Sequence, residues 1–312
     1  MKVIKDISEI ERNDETVLTI GTFDGVHKGH QEIIKKVVKI SKEDSLRSLI
    51  ITFYPHPRKV INPNSNISLL TTQEEQIDLL RQLGVDNLLK INFTKEFSEI
   101  TSYQFIKEYI VKRIGVKKIV IGHDHHFGKS REGNVDFLKS VSTEFGFDVV
   151  EVTPFEMDSV LVSSSVIRKE LQNGNILLVN KMLGRNYFFI GNVVNGDGRG
   201  RKLGYPTANI KLEDEDKALP MLGIYAVFIF IDGLKFNGLL SVGKRPTFYN
   251  DGKIIPEVYI YDFQDDIYGK KVKIEILERI RGEEKFNSPE ELINQMNLDK
   301  ENGLKIFNKL NN

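Results

Sequence analysis

The ten residues "GTFDGVHKGH" (21–30) place His27 and His30 three positions apart, behind a run of glycines and one acid. Three residues is close to one helical turn, so a helix opening here would turn both imidazoles to one side. Imidazoles so placed can donate hydrogen bonds to phosphate oxygens as charge builds up during transfer. The spacing alone equally describes a surface pair, or two metal ligands with a third among His123, His125 and His126. A second stretch, "GNVVNGDGRGRKLGYPTANI" (191–210), has four further glycines after Gly191, together with Arg199, Arg201 and Lys202. Such a loop brings backbone N–H groups up to phosphates, or it is a turn with a solvated basic cluster. It is not a Walker loop, because no GKS/T follows the glycines. Thr207 and Asn209, two apart, share one face if extended, and their neutral hard oxygens suit Mg²⁺. Glu257 stands in a β-like run with Val258 and Ile260. A carboxylate there is either a base for an alcohol or a solvated face residue.

These groups need elements to hold them. From Thr16 to about Leu183, short apolar runs alternate with helix-like stretches: "TVLTIG" before the amphipathic 31–42, "RSLIITF" (47–53) before "TTQEEQIDLLRQLG" (71–84), then "NLLKINF", 102–115, "KKIVIG", 134–146 and "DVVEV". This alternation predicts a parallel sheet with helices on its faces. Residues 22–30 would then lie outside the carboxyl edge of that sheet, at a helix N-terminus, where ligands and phosphates bind. After "GRNYFFIGNVV" the rhythm becomes β-like over 187–194, 224–231, 235–242, 256–263 and 271–280, with Gly, Asp and Asn turns between. That predicts an antiparallel barrel or sandwich. "SPEEL" opens a final helix with serine at the cap, proline next and acids in the first turn. The join falls near 183–187.

With 312 residues, two domains are the better expectation. Lys+Arg and Asp+Glu both total 44, a balance that argues against nucleic acid as partner. The chain has no cysteine, which excludes disulfides, thiolate metal sites and a cysteine nucleophile. Apolar runs such as "YAVFIFI" (225–231) are far shorter than the ~20 residues of a membrane span. The charged N-terminus lacks the apolar core of a signal peptide. The expectation is a soluble, cytoplasmic protein with no membrane partner.

"GTFDGVHKGH" closely resembles the G-x-F-D-G-V-H-x-G-H signature of the nucleotidyltransferase module in prokaryotic bifunctional riboflavin kinase/FAD synthetases. "TFYPHPRKV" (52–60), "IGHDHHFGKSREGN" (121–134) and "VSSSVIRKEL" (162–171) resemble that module's TFxPHP, G-x-D-F-x-F-G-x-x-R-x-G and ISSTxIR elements. The stretch 191–210 is similar to the riboflavin kinase signature G-x-G-R-G-R-x-L-G-[FY]-P-T-A-N. "GIYAV", "SVGKRPTF", "PEVYIYDFQDDIYGK" and "IRGEEKFNSPEEL" follow in the family's order. The chain departs from the pattern at Tyr54, at His125 in place of the usual Phe, and at Ser241 and Lys244.

The resemblance implies a Rossmann-like α/β FMN adenylyltransferase domain over 1–183. It also implies an antiparallel β-barrel riboflavin kinase domain with a C-terminal helix over 184–312. His27, His30, Ser164, Ser165 and Arg168 would grip ATP phosphates, within a nucleotide loop that includes Gly21, Phe23, Asp24 and Gly29. Hydroxyls and a guanidinium suit a triphosphate, although a serine cluster is also an ordinary helix cap. His56, Asp124 and Arg131 would lie at or near the flavin, while Pro55-His56-Pro57 could serve only as a rigid turn. In the kinase half, Gly198, Arg199, Gly200 and Arg201 would meet nucleotide phosphates, Thr207 and Asn209 would hold Mg²⁺, and Glu257 would be the base. The implied work is phosphorylation of riboflavin to FMN by ATP, then adenylylation of FMN to FAD. The rivals are a chain with one active module, a flavin sensor without turnover, and a cytidylyl- or pantetheine-type transferase. The last rests on HxGH alone and leaves 191–263 unexplained.

Overall fold

The computed structural model describes residues 1–64, 67–196, 204–244 and 254–311. It separates into two compact units, Met1–Ser164 and Ser165–Asn312. Gly198, Arg199, Gly200, Arg201 and Lys202 lie outside the described residues.

The first unit is built on six parallel strands: β1 (Lys2–Ile4), β2 (Thr16–Ile20), β3 (Arg47–Tyr54), β4 (Asn87–Asn92), β5 (Lys118–Gly122) and β6 (Asp148–Val152). Their order in the sheet is β1-β4-β3-β2-β5-β6. Strands such as "TVLTI" are buried at every position, as expected of a parallel sheet covered on both faces. Helix α1 (Lys28–Glu43) packs on β2, β3 and β5. Three further helices follow: α2 (Pro57–Ile61), α3 (Gln73–Gln82) and α4 (Lys95–Ser98). Thr72 caps α3 in a capping box with Glu75, and Gly84 takes up φ +80° just beyond its end. Residues 102–115 were expected as one helix. They form α5 (Ser102–Gln104), which widens into a π-helix over Phe105–Ile114. Its Phe105, Ile106, Ile110 and Ile114 join α6 (Val135–Phe145) against Leu18, Ile20, Leu49, Ile51, Ile119 and Ile121. A small hairpin, β7 (Glu156–Met157) and β8 (Val160–Leu161), ends the unit.

Helices α7 (Ser164–Gln172, all but its first residue) and α8 (Ile176–Leu183) go with the second unit. Their helical rhythm is continuous with the first unit's, but α8 packs on the barrel. The Asn180 side chain accepts from Tyr187 N–H at 2.7 Å and donates to Ile276 C=O at 2.9 Å. The barrel is closed, in the order β10 (Thr207–Leu212), β13 (Ile254–Ile260), β12 (Leu234–Lys244), β11 (Gly223–Ile231), β14 (Lys271–Arg281), β9 (Tyr187–Val194), all antiparallel. Asp232-Gly233, both at positive φ, form the two-residue turn between β11 and β12. Tyr225, Val227, Leu240, Val242, Val258 and Ile274 fill its interior, none more than 1% exposed. Helix α9 (Pro289–Asn311) lies on the outer face, where Phe307 packs with Ala226, Leu239, Tyr261 and Leu277. Arg281 makes a bidentate pair with Asp299 of α9, N···O 2.8 Å, with both side chains largely buried and Gln295 donating to the same carboxylate.

Candidate active sites

In the first unit, β2 hands over to α1 through the loop that holds the paired histidines. His27 is the N-cap of α1, and its Nδ1 accepts the His30 backbone N–H at 3.3 Å. A neutral His27 therefore carries its proton on Nε2, which makes that atom a donor. The two imidazole rings stack at 3.6 Å, and the Phe23 ring stands edge-on to His30 at 5.3 Å. The loop also gives Gly21 and Gly29 a packing role, since a Cβ at Gly21 would meet the Phe23 ring and one at Gly29 the His27 ring. Asp24 is buried and its carboxylate accepts from Leu70 N–H, Thr71 N–H and the Thr71 hydroxyl, while Thr71 also accepts from Gly25 N–H. It thus pins the loop to the segment before α3. Gly25 holds φ +81° with Leu70 only 2.8 Å from where a Cβ would stand. The Ser164 hydroxyl, at the start of α7, donates to Asp24 C=O at 2.9 Å and so ties to this loop; Ser165 and Arg168 follow on α7.

Beside β2, strand β5 ends in the loop 123–134 with Asp124, His125 and Arg131. Asp124 and Arg131 are exposed, and Arg131 sits at φ +61° in a short 3₁₀ turn. Burial drives the His125 imidazole down to about 4, against the opposing pull of Asp124; His126 and Arg131 push the same way as burial. His56 caps α2, with Nδ1 accepting Arg58 N–H at 3.2 Å, so the Pro55-His56-Pro57 turn has a local structural job. Tyr54 is exposed, with Lys90 over its ring at 5.2 Å. Among the described residues no three His, Asp or Glu side chains form a group able to hold a metal, so His123, His125 and His126 do not complete a metal site with the first pair. Thr71 was missed in the sequence; its one signal there was the paired threonine before an expected helix start.

In the second unit, strand register assembles the other site. Asn209 lies opposite Glu257, and Glu257 opposite Ser241, across β10, β13 and β12. The Thr207 hydroxyl donates to the Glu257 carboxylate at 3.1 Å. Val258 and Ile260 point into the barrel and are buried, which turns Glu257 and its neighbour Tyr259 to the outer face. Asn209 is 5% exposed, and a Cβ at Gly196 would overlap its amide, so the chain entering the 197–203 stretch runs directly against it. The Thr207 hydroxyl meets the Glu257 carboxylate, and Asn209 stands at the strand position opposite Glu257; hydroxyl, amide and carboxylate oxygens are hard donors of the kind that suit a divalent cation. Tyr205 donates from its hydroxyl to Asn297 of α9, and its ring meets Tyr259 at 5.6 Å.

Two family models fit these two sites in turn, FAD synthetase over residues 9–166 and riboflavin kinase over residues 183–307. The chain belongs to the bifunctional riboflavin kinase/FMN adenylyltransferase family. The bifunctional riboflavin kinase/FMN adenylyltransferase of Bacillus subtilis is 37% identical over 304 residues, covering 96% of this chain and 95% of that one. Its Escherichia coli counterpart is 32% identical over 310 residues, 98% of each. A solved structure named as a macrolide-efflux protein from Streptococcus pneumoniae matches with a TM-score of 0.87 at 35% identity, over 96% of this chain and 97% of that one. No helix among the described residues of this family member is long and apolar enough to cross a membrane. The expectation of a transferase with one kinase and one nucleotidyltransferase domain therefore holds.

Proposed function

We propose that this chain converts riboflavin to FMN and FMN to FAD at two separate sites, the first within residues 184–312 and the second within 1–183. The convergence of Thr207, Asn209 and Glu257 on one outer face of the barrel carries the kinase half of this reading. Glu257 accepts the proton of the riboflavin 5′-hydroxyl as that oxygen attacks the γ-phosphorus of ATP, and ADP leaves. Thr207, by donating to Oε2, holds the carboxylate in place. Mg²⁺ held by Thr207 and Asn209 would offset the charge of the ATP phosphates. Gly198, Arg199, Gly200 and Arg201 are assigned to those phosphates by family pattern alone.

In the adenylyl half, an FMN phosphate oxygen attacks the α-phosphorus of ATP and pyrophosphate leaves. The N-terminal turn of α1 faces the triphosphate with backbone N–H groups and its positive dipole end. His27 through Nε2, and His30 stacked on it, donate to the oxygens that gain charge. Ser164, Ser165 and Arg168 are further phosphate donors, and Asp24 serves the nucleotide through the loop shape it fixes. His56, Asp124 and Arg131 are assigned to the flavin side. No protein nucleophile takes part in either step. The partners are riboflavin, FMN, FAD and ATP, met in the cytoplasm.

The test is chromatography of flavins after the chain is incubated with ATP and Mg²⁺, starting from riboflavin in one tube and FMN in another. FMN before FAD in the first tube, and FAD in the second, is the expected result. FMN that accumulates without FAD would leave the kinase alone active, and bound riboflavin with no product would make the chain a flavin sensor.

A further inference from the structure

Strands β2 and β5 are neighbours, yet the chain continues from β2 through β3 and β4 to one side and from β5 to β6 on the other. That reversal leaves a crevice at the carboxyl ends of β2 and β5, the place where open α/β sheets bind ligands. One wall is the His27–His30 loop and the first turn of α1. The other is the 123–134 loop, whose base fits closely: a Cβ at Gly122 would lie 3.1 Å from Ile33 of α1.

This second wall is built to stand in one position. Phe127 and Gly133 exchange both backbone hydrogen bonds, at 2.9 and 3.0 Å, so the chain between them closes into a lobe. The lobe is fastened to the start of α5. Ser102, with no exposed surface, donates its hydroxyl to Phe127 C=O at 3.2 Å and its N–H to the Glu132 carboxylate at 2.9 Å. Next to it, Lys129 N–H donates to Ile100 C=O at 2.9 Å. The fit leaves room for no side chain, since a Cβ at Gly128 would stand 2.2 Å from the Ser102 hydroxyl oxygen and one at Gly133 2.6 Å. The Phe127 ring is wedged between Phe105 and Phe137, and the His125 ring lies parallel to it at 6.1 Å. His125 Nε2 is buried without a hydrogen-bond partner.

We propose that Ser102 and Glu132 are positioning residues for adenylyl transfer, holding the 123–134 loop as the wall against which the FMN substrate is placed. The inference rests on the adenylyl reading above. With the triphosphate at the α1 N-terminus, the facing wall is left to the acceptor, and its Phe127 ring is locked in the core by tilted and edge-on contacts with Phe105 and Phe137.

The test uses the full chain, with Glu132→Ala, Glu132→Gln and Ser102→Ala compared for FMN-to-FAD turnover and for riboflavin phosphorylation in the same preparation. In Glu132→Ala and Ser102→Ala the KM for FMN should rise by on the order of tenfold, with kcat and the KM for ATP within about twofold. Glu132→Gln keeps an oxygen acceptor for Ser102 N–H, so its KM for FMN should return close to wild type. Riboflavin phosphorylation should be unchanged throughout. Should Ser102→Ala fail to fold, the Glu132 pair decides, and equal FMN KM values for Ala and Gln would overturn the proposal. So would a KM for ATP that rises as much as that for FMN. Wild-type turnover with an unmoved FMN KM defeats this inference alone, whereas wild type that makes no FAD from FMN defeats the adenylyl reading and this inference with it.

Discussion

The two candidate sites are assembled by opposite constructions. In the α/β unit, His27, His30 and Asp24 stand on a loop between strand and helix, and contacts with residues far along the chain give that loop its shape, Thr71 and Ser164 among them. In the barrel, Thr207, Asn209 and Glu257 stand on paired strands, and the ladder itself fixes their spacing. A loop site can bring backbone N–H groups to a ligand, but it depends on its fasteners. A ladder site offers only side chains, yet it stays in place as long as the barrel stays closed.

The sharpest break of that comparison is Glu257→Gln. It should lower FMN formation by about 10³-fold, with FMN-to-FAD conversion intact, as read by separate assays of the two steps. His30→Ala should do the reverse, with FAD formation down about 10²-fold and riboflavin phosphorylation kept. Loss of both steps from either change in a folded chain would break the separation of sites. Asp299→Ala removes the bidentate carboxylate from the largely buried Arg281 guanidinium, leaving, among the described residues, only Glu284 at 4.0 Å, and should cost the second unit about 3–5 kcal/mol in denaturant unfolding. Gly25→Ala forces a side chain into a left-handed position against Leu70. It should cost the first unit about 1–3 kcal/mol and slow FAD formation alone. The smallest effect concerns pH. His125 is held neutral down to about 4 in the folded unit, while the unfolded chain binds a proton near 6.5. Its contribution to stability is therefore complete above pH 6.5 and is lost steadily as the pH falls toward 4. In His125→Phe that slope should flatten in urea titrations of the first unit across this range.

Much of both candidate sites was legible because several of their residues are close in sequence. His27 and His30 share one helical turn, and Thr207 and Asn209 share one strand face. The strand–helix rhythm likewise gave the sheet, and the period-two runs gave the barrel. What could not be read depends on contacts between distant segments. That the Asp24 carboxylate accepts from Leu70 and Thr71, 46 and 47 positions away, is one such contact. Ser102 and Glu132, 30 apart, carry no periodic signal. The widening of 105–114 into a π-helix follows no residue pattern that we can name. Helix α8 continues the rhythm of the first unit, and only its contacts with β9 and β14 assign it to the barrel.

The closed ring of the barrel also bears on how the chain survives crowding. Six strands that return upon themselves leave no exposed row of backbone donors and acceptors onto which a foreign strand could zip. The parallel sheet has two such rims and guards them differently. At one rim β1 is only three residues long, and at the other β6 carries Asp148 and Glu151, the latter tied to Lys139 and His123. Each rim of the parallel sheet is thus blunted, one by brevity and the other by charge, where the barrel has none to guard.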